Sequence, residues 1–345
     1  MGKHQNLLSL FSIYVGAVIG AGFATGQEVN QFFAYFGPSG LAGVGLAGGL
    51  LIFGGRMLLN LAYQYQVSDY GESIALLIGA TSVKVLDVLI SFFLLASLAV
   101  MISGGGELLT PQFNLSRAIA SLLFLLVAIG ISRGVVGLAQ INVILMPLLI
   151  IVSLALVIDR FFLTVPTTLI LSLRKIRPFL LPNWWVAAIL YASLNLGIIF
   201  TVFSSLGPTI PNRIIATRTG TWAGLTLGIL LALFCGGIIH TPGADQVAIP
   251  LAYLAAQGSM AIYIAYISLL FMAILTSAIA TAFALVSRLR ANNYGIWVEG
   301  GVLVLAWLAA QGGFAELVGT VYPLYGYFWA VVLIIIMVRR ILQVV

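Results

Sequence analysis

Runs of about twenty apolar residues follow one another from end to end of the chain, and each is long enough to cross a hydrocarbon layer about 30 Å thick. Lipid supplies no water to bond an exposed backbone, so runs of this length read as membrane-spanning helices. Composition agrees: 62% of residues are hydrophobic and only 7% are charged, with a mean hydropathy of +1.16. That is too little charge to cover a soluble protein of this length. The first run carries Gly and Glu and leads directly into another run, unlike a cleaved signal peptide. The net charge of +6 does not point to nucleic acid, because the basic residues gather at helix ends. One cysteine, Cys235, leaves no internal disulfide and reads as a small packing residue.

The runs divide into about ten spans, roughly 7–35, 39–65, 83–109, 115–131, 134–158, 184–210, 217–240, 260–289, 295–311 and 316–340. Residues 159–183 hold Pro166, Arg174, Lys175, Arg177, Pro178 and Pro182, and read as an external linker, an interfacial hairpin or short helix. Residues 242–258 are too short and too interrupted to span, and suit a re-entrant or surface helix. With the N-terminus inside, nine Lys and Arg residues fall on the cytoplasmic side and five outside, four of the five within 159–183. The balance places both termini in the cytoplasm of a multi-pass protein of the cell (inner) membrane.

Within the first span, "GAVIGAGFATGQE", Gly16 to Glu28, places Gly20, Gly22 and Gly26 in a membrane helix. Each glycine weakens a helix interior by roughly 1 kcal/mol relative to alanine. The polar Thr25, Gln27 and Glu28 follow at once. About half a chain later, "SLNLGIIFTVFSSLG", Ser193 to Gly207, interrupts the sixth span. Two broken spans in corresponding positions, five spans apart, predict an inverted repeat: an all-α membrane protein of ten transmembrane helices in a 5+5 arrangement, with helices 1 and 6 broken. Residues 1–158 form the first half and 184–345 the second, the latter including 242–258. Unwinding exposes N–H groups at one half-helix end and carbonyls at the other, a place to bind a carboxylate and a cation. The glycines of the second span, Gly40, Gly43, Gly45, Gly48 and Gly49, read instead as close-packing positions.

These stretches also carry a resemblance. "IGAGFA", Ile19 to Ala24, resembles the first-helix signature of permeases of the amino acid–polyamine–organocation superfamily. "SLNLG", Ser193 to Gly197, and "AILTSAIA", Ala273 to Ala280, resemble runs on helices six and eight of sodium-coupled neurotransmitter-type symporters such as LeuT. The wider run from Gly16 to Glu28 looks like the YkvI-type amino-acid permeases. The resemblance implies a LeuT-like fold and a sodium site formed by the carbonyls of Gly16, Ile19 and Ala273 and the hydroxyls of Thr276 and Ser277. Hard oxygen donors suit such a cation. The alternative is that both hydroxyls bond back to their own helix. A further sodium site of those symporters is expected to be absent, because Phe23 and Tyr191 replace its ligands. No lysine stands on span five to replace the ion.

For a small organic substrate, the candidate contacts are Gly20, Ala21, Gly22, Phe23, Thr25, Gln27, Tyr191, Ser193 and Asn195, with Ser97 and Ser103 as additions. Glu28 and Phe200 are candidates for the pathway or gate; an ionisable residue inside a membrane is functional by default. Arg56 reaches the inner surface or pairs internally, and Glu107 and Glu316 lie near outer helix ends. His240 and Asp245 form no metal motif, and no nucleophile–base set suggests an enzyme. No cofactor is expected beyond sodium as coupling ion. The sequence therefore reads as a secondary transporter of an amino acid or similar solute, coupled to sodium by alternating access. A proton-coupled carrier or exchanger, and a solute-sensing receptor that does not transport, stay open. Single cysteines in a Cys235→Ser background test the orientation: on whole cells an impermeant thiol reagent should label Thr168→Cys and leave Gln343→Cys unlabelled.

Overall fold

The structure, a computed structural model, describes residues 6–66, 70–77, 79–132, 138–163, 180–291 and 294–342. Every regular element among them is helical. The first span is divided into α1 (Leu7–Val18), α2 (Ala21–Thr25) and α3 (Gln27–Phe32), followed by a 3-10 turn at Ala34–Phe36. Then come α4 (Pro38–Tyr65), α5 (Tyr70–Leu77), α6 (Ala80–Phe113), α7 (Arg117–Ser132) and α8 (Leu138–Leu163). The rest of the chain forms α9 (Trp184–Ser204), α10 (Arg213–His240), α11 (Pro250–Ala256), α12 (Met260–Ala291), α13 (Ile296–Ala310) and α14 (Phe314–Leu342). Among the described residues, six helices are long and apolar enough to cross a membrane: those in α4, α6, α9, α10, α12 and α14. Shorter apolar helices lie at Leu7–Val18, Arg117–Ile131, Ile144–Ile158 and Ile296–Ala310. Between α10 and α12 the chain makes a 3-10 turn at Ala244–Gln246 and then α11. The hairpin or short helix expected in 159–183 falls largely on residues 164–179, outside the described residues.

The sixth span corrects the sequence reading. α9 runs unbroken through Ser193 and Gly197, and stops only at Ser204, before a 3-10 turn at Gly207–Thr209. Its polar side chains do not open the helix. The Asn195 amide donates to the Tyr191 carbonyl at 2.8 Å, and the Thr201 hydroxyl to the Ile198 carbonyl at 2.8 Å. Such local bonds satisfy a side chain while leaving the helical ladder intact. The lone Gly197 serves packing: the Trp329 indole of α14 occupies the space a side chain would need.

The helices meet in reciprocal pairs. α4 packs on α10 through small residues at three levels. A Cβ on Gly48 would lie 3.3 Å from the Cα of Gly228, one on Gly224 2.7 Å from the Cα of Ile52, and one on Gly220 2.6 Å from the amide nitrogen of Arg56. Numbers rise along α10 as they fall along α4, so the two run antiparallel. Small residues let the backbones approach, which is how membrane helices gain contact without a hydrophobic drive between them. Gly43 is likewise tight, 3.2 Å from the Trp184 carbonyl, whereas Gly45 and Gly49 face open space. α6 and α12 are also antiparallel: Gln112 donates to Tyr263 at one end (2.8 Å) and Arg288 pairs with Asp87 at the other (3.5 Å). The first span and α9 follow the same rule, with Tyr14 against Phe203 and Phe33 against Tyr191. Contacts off these axes are matched too: α4 meets α9 as α10 meets α1, and α6 meets α14 as α12 meets α8.

The α4–α10 seam should respond to a single methyl group. Gly224→Ala sets a Cβ against the Ile52 backbone and is expected to cost roughly 1–3 kcal/mol, as overpacking does. Gly45→Ala, in open space, should be neutral. Thermal unfolding of the purified variants in one detergent reads the difference.

Candidate functional site

The break in the first span is narrower than Gly20 to Gly26. At the end of α1 the Gly20 amide donates to the Val18 carbonyl at 3.0 Å rather than continuing the ladder to Gly16. Ile19 and Gly20 stand outside the helices, Gly20 in extended conformation (φ −96°, ψ −175°). The chain then re-enters a helical turn, with Ala24 donating to the Gly20 carbonyl at 3.1 Å. Ala21 to Thr25 are therefore helical, which corrects the expectation of a continuous unwound stretch. A second interruption falls at Gly26, whose left-handed backbone (φ +78°) ends α2 and starts α3. Leu251 of α11 would lie 2.8 Å from a side-chain carbon there, so both conformation and space demand glycine.

Side chains take up what the backbone loses. The Thr25 hydroxyl donates to the Gly22 carbonyl at 2.6 Å and accepts from the Gln27 amide at 3.2 Å, bridging the Gly26 kink. Tyr266 of α12 donates to the Ala24 carbonyl at 2.6 Å. Asn30 donates to the Asp245 carbonyl at 3.0 Å, and Gln31 to the Ala315 carbonyl in α14 at 3.2 Å. Gln27, Glu28, Asn30 and Gln31 are all buried, and the Gln27 amide nitrogen and Asn30 amide oxygen make no hydrogen bond.

Glu28 lies at the centre. Its carboxyl sits on the Cα of Gly22; a Cβ there would collide with Glu28 Oε1 and stand 3.2 Å from the Tyr322 hydroxyl of α14. Tyr191, one of the candidate contacts on α9, is fully buried. Its ring meets Phe32 at 5.4 Å and Phe33 at 5.0 Å, and its hydroxyl makes no hydrogen bond. Gly22 and Glu28 are thus brought together, with Tyr322 beside them and Tyr191 packed on Phe32 and Phe33 of the same segment. Phe23 is turned away onto Phe234, 5.1 Å between ring centres. Ser193 and Asn195 are buried in α9, with Asn195 bonded to its own helix. Phe200 stacks near Trp329 (5.8 Å) and lines a small cavity with Leu58, Tyr65, Ser73 and Ser204, towards the far end of α9.

Of the five groups assigned to sodium, Ala273 and Thr276 are joined by a local bond, the Thr276 hydroxyl donating to the Ala273 carbonyl at 3.1 Å. Ile19 is buried, Ser277 is half-buried, and Gly16 is exposed. Nothing lies within 4 Å of a side-chain carbon built on Gly16 or on Gly20. The exposed face of α1 carries Leu8, Ser12 and Gly16, and that of α12 carries Ala280, Phe283 and Ser287. The exposed face of α13 presents Ile296, Trp297, Val304 and Leu305 to lipid. At its opposite end the break is closed by Leu251 on Gly26 and by Phe23 on Phe234.

Sequence reasoning missed Asn30, Gln31, Tyr266 and Tyr322. The first two had a signal, since they extend the polar run behind Glu28 inside an apolar span. Nothing in the sequence separates Tyr322 from Tyr325 or Tyr327 on the same helix.

The helical architecture has counterparts among solved structures. Across 95% of the chain it matches a manganese transporter of Eremococcus coleocola, solved in complex with an aromatic bis-isothiourea substituted compound, with a TM-score of 0.52 and 15% identity over 70% of that chain. A mutant of that transporter matches with a TM-score of 0.51 over 97% of this chain and 72% of the other. In sequence the chain is 29% identical over 321 residues to the uncharacterized membrane protein YkvI of Bacillus subtilis (strain 168), covering 91% of this chain and 90% of that one. It is 28% identical over 318 residues to the uncharacterized protein YyaD of the same organism, covering 91% of each. No protein-family model matches.

Gly22 tests the arrangement. The residue is helical, so its need for glycine is one of space, not of φ. Gly22→Ala must push the Glu28 carboxyl away while raising helix propensity by up to about 1 kcal/mol. It should fold with unchanged or higher thermal stability yet lose ligand binding, measured by thermal shift against an amino-acid panel. Gly48→Ala, at the α4–α10 seam, should leave binding intact.

Proposed function

We propose that this chain is a secondary transporter that moves a small organic solute, an amino acid in particular, by alternating access coupled to sodium. The observation that carries the reading is a doubly interrupted helix, lined with buried polar groups, open at the Gly16–Gly20 end and closed at the Gly26 end. Exposed backbone is tolerated inside a membrane only where it borders protein or a cavity. A site reached from one side at a time is what alternating access needs. The antiparallel pairing of α4 with α10, α6 with α12, and the first span with α9 supports two halves of opposite orientation. It supports the five-plus-five repeat although only one of its two expected breaks is present.

The donor set favours an organic cargo over a divalent metal. Among the described residues no group of three His, Cys, Asp or Glu side chains converges, so a divalent cation there would have to rest mainly on backbone, amide and hydroxyl oxygens. One carboxyl, several amides and tyrosine hydroxyls suit a solute with its own donors and acceptors. For sodium, the support is the resemblance carried by the Ala273–Thr276–Ser277 run on α12, although the Thr276 hydroxyl bonds back to the Ala273 carbonyl of its own helix. A second reading, coupling to protons through Glu28, is favoured by the burial of that carboxyl within the break.

Accumulation in proteoliposomes separates them. An inward sodium gradient should drive uptake that potassium does not support, and sodium near 100 times its Kd should stabilise the protein by about 2.7 kcal/mol. Thr276→Ala combined with Ser277→Ala should abolish both effects with expression intact. Uptake driven by a proton gradient alone, and lost in Glu28→Gln, would establish the second reading. Binding without accumulation under any gradient would mark a receptor.

A further inference from the structure

We propose that Glu28 receives the ammonium group of the transported solute, so that the site selects primary amines and seats an amino acid amine-first between α3, α9 and α14. The inference rests on the reading of the break as a solute site and names the chemistry that the site selects.

Three observations lead there. First, Glu28 is a buried acid without a cation: among the described residues no Lys, Arg or His forms an ion pair with it. A carboxylate removed from water needs a charged or strongly donating partner, and a membrane interior makes that need greater. Secondly, Glu28 holds no part of the fold together. Asn30 and Gln31 anchor α3 to the Asp245 and Ala315 carbonyls, whereas among the described residues none donates a hydrogen bond to the Glu28 carboxyl, and the residue is 6% exposed. A brace would show the opposite pattern. Thirdly, its surroundings are those that suit an ammonium ion. The Tyr191 hydroxyl, fully buried, has no hydrogen-bond partner. The Tyr322 hydroxyl stands on the same point of Gly22 as the carboxyl. The rings of Phe32, on the same half-helix as Glu28, and of Phe33 and Tyr191 pack edge-on or tilted against one another, and aromatic faces attract alkylammonium groups.

Gly22 fits the same picture. With any side chain there, the carboxyl could not approach the α2 backbone. Held against Gly22, Glu28 is presented at the break itself, one turn from the opening at Gly20. A solute entering there would meet a single buried carboxyl with the Tyr322 hydroxyl beside it, to which an ammonium group could donate. Its other end would face the open space beside Gly16 and Gly20, which sets few demands on the rest of the molecule. Selectivity then rests on the amine.

The test uses the purified full-length protein in sodium buffer and thermal shift with titration. The probes are the protein amino acids, the amines left by removing their carboxyl groups, and the acids left by removing their amino groups. Compounds that keep the amine should stabilise the wild type, and the acids lacking it should not. Glu28→Gln, which keeps the shape and removes the charge, should weaken binding of every amine at least about tenfold, as loss of a charge-assisted hydrogen bond does. Glu28→Asp should retain part of the affinity. Tyr322→Phe should weaken binding less than Glu28→Gln. Deaminated acids that bind as tightly as their parents would overturn the inference while leaving the solute site standing. Unchanged amine affinity in Glu28→Gln would overturn it too, and would favour the carboxyl as a proton carrier. If no probe shifts the wild type, the solute-site reading fails and the inference with it. Should Glu28→Gln not fold, the wild-type comparison of amines with deaminated acids decides alone.

Discussion

A helix inside a membrane can open its backbone only where other groups of the protein take over the hydrogen bonds it gives up. Every unusual feature of this structure follows from that constraint. The first span opens at Ile19–Gly20, where the Gly20 amide turns to the Val18 carbonyl, and again at Gly26, where donors and acceptors from elsewhere in the chain gather. Thr25 bridges the kink locally, and Tyr266 reaches from α12 to the Ala24 carbonyl. Asn30 and Gln31 tie the second half-helix to a connecting segment and to α14. In water such bonds would each be worth about 1 kcal/mol net, because solvent competes for the same groups. In lipid the competing solvent is missing and an unmade bond costs several kcal/mol. The polar run of α3 is therefore a condition for the break to exist.

The same constraint explains why α9 does not break. A span that opens needs partners for its released groups, and α9 has polar side chains that serve only itself. Asn195 and Thr201 bond back along the helix. Trp329 fills the groove left by Gly197, so the surroundings there are apolar and tight. The two halves of the molecule keep their antiparallel pairing, yet one carries the opened helix and the other a rigid wall against it. Tyr191 belongs to that wall, its ring packed against Phe32 and Phe33 of the opened span.

Small residues set the distances on which this depends. Along α10, Gly220, Gly224 and Gly228 fall at intervals of four residues and bring the backbone onto α4. Gly55 of α4 in turn makes room for the Tyr14 ring, whose hydroxyl donates to the Leu51 carbonyl at 2.9 Å. α1 is thereby fixed through its buried face, Leu10, Tyr14 and Val18, while its opposite face, Ser12 and Gly16, is left open. One face of the first helix is clamped, and the other leads to the break.

What the sequence by itself determined was the set of elements and the place of the break. Long apolar runs can only be helices in lipid, and three glycines followed by Thr25, Gln27 and Glu28 cannot be an ordinary span. Those are local properties, written in consecutive residues. The sequence did not determine that Gly20 to Gly26 keeps a helical turn, because that turn depends on Tyr266, distant in the chain. Nor did it determine that α9 stays whole, since "SLNLG" carries the composition of a break and only its neighbours decide whether released groups would find partners. Tyr322 was invisible for the same reason: three tyrosines share its helix, and tertiary packing alone brings one of them to Gly22 and Glu28. Composition sets which backbone bonds can be lost, and the fold decides which of them are replaced.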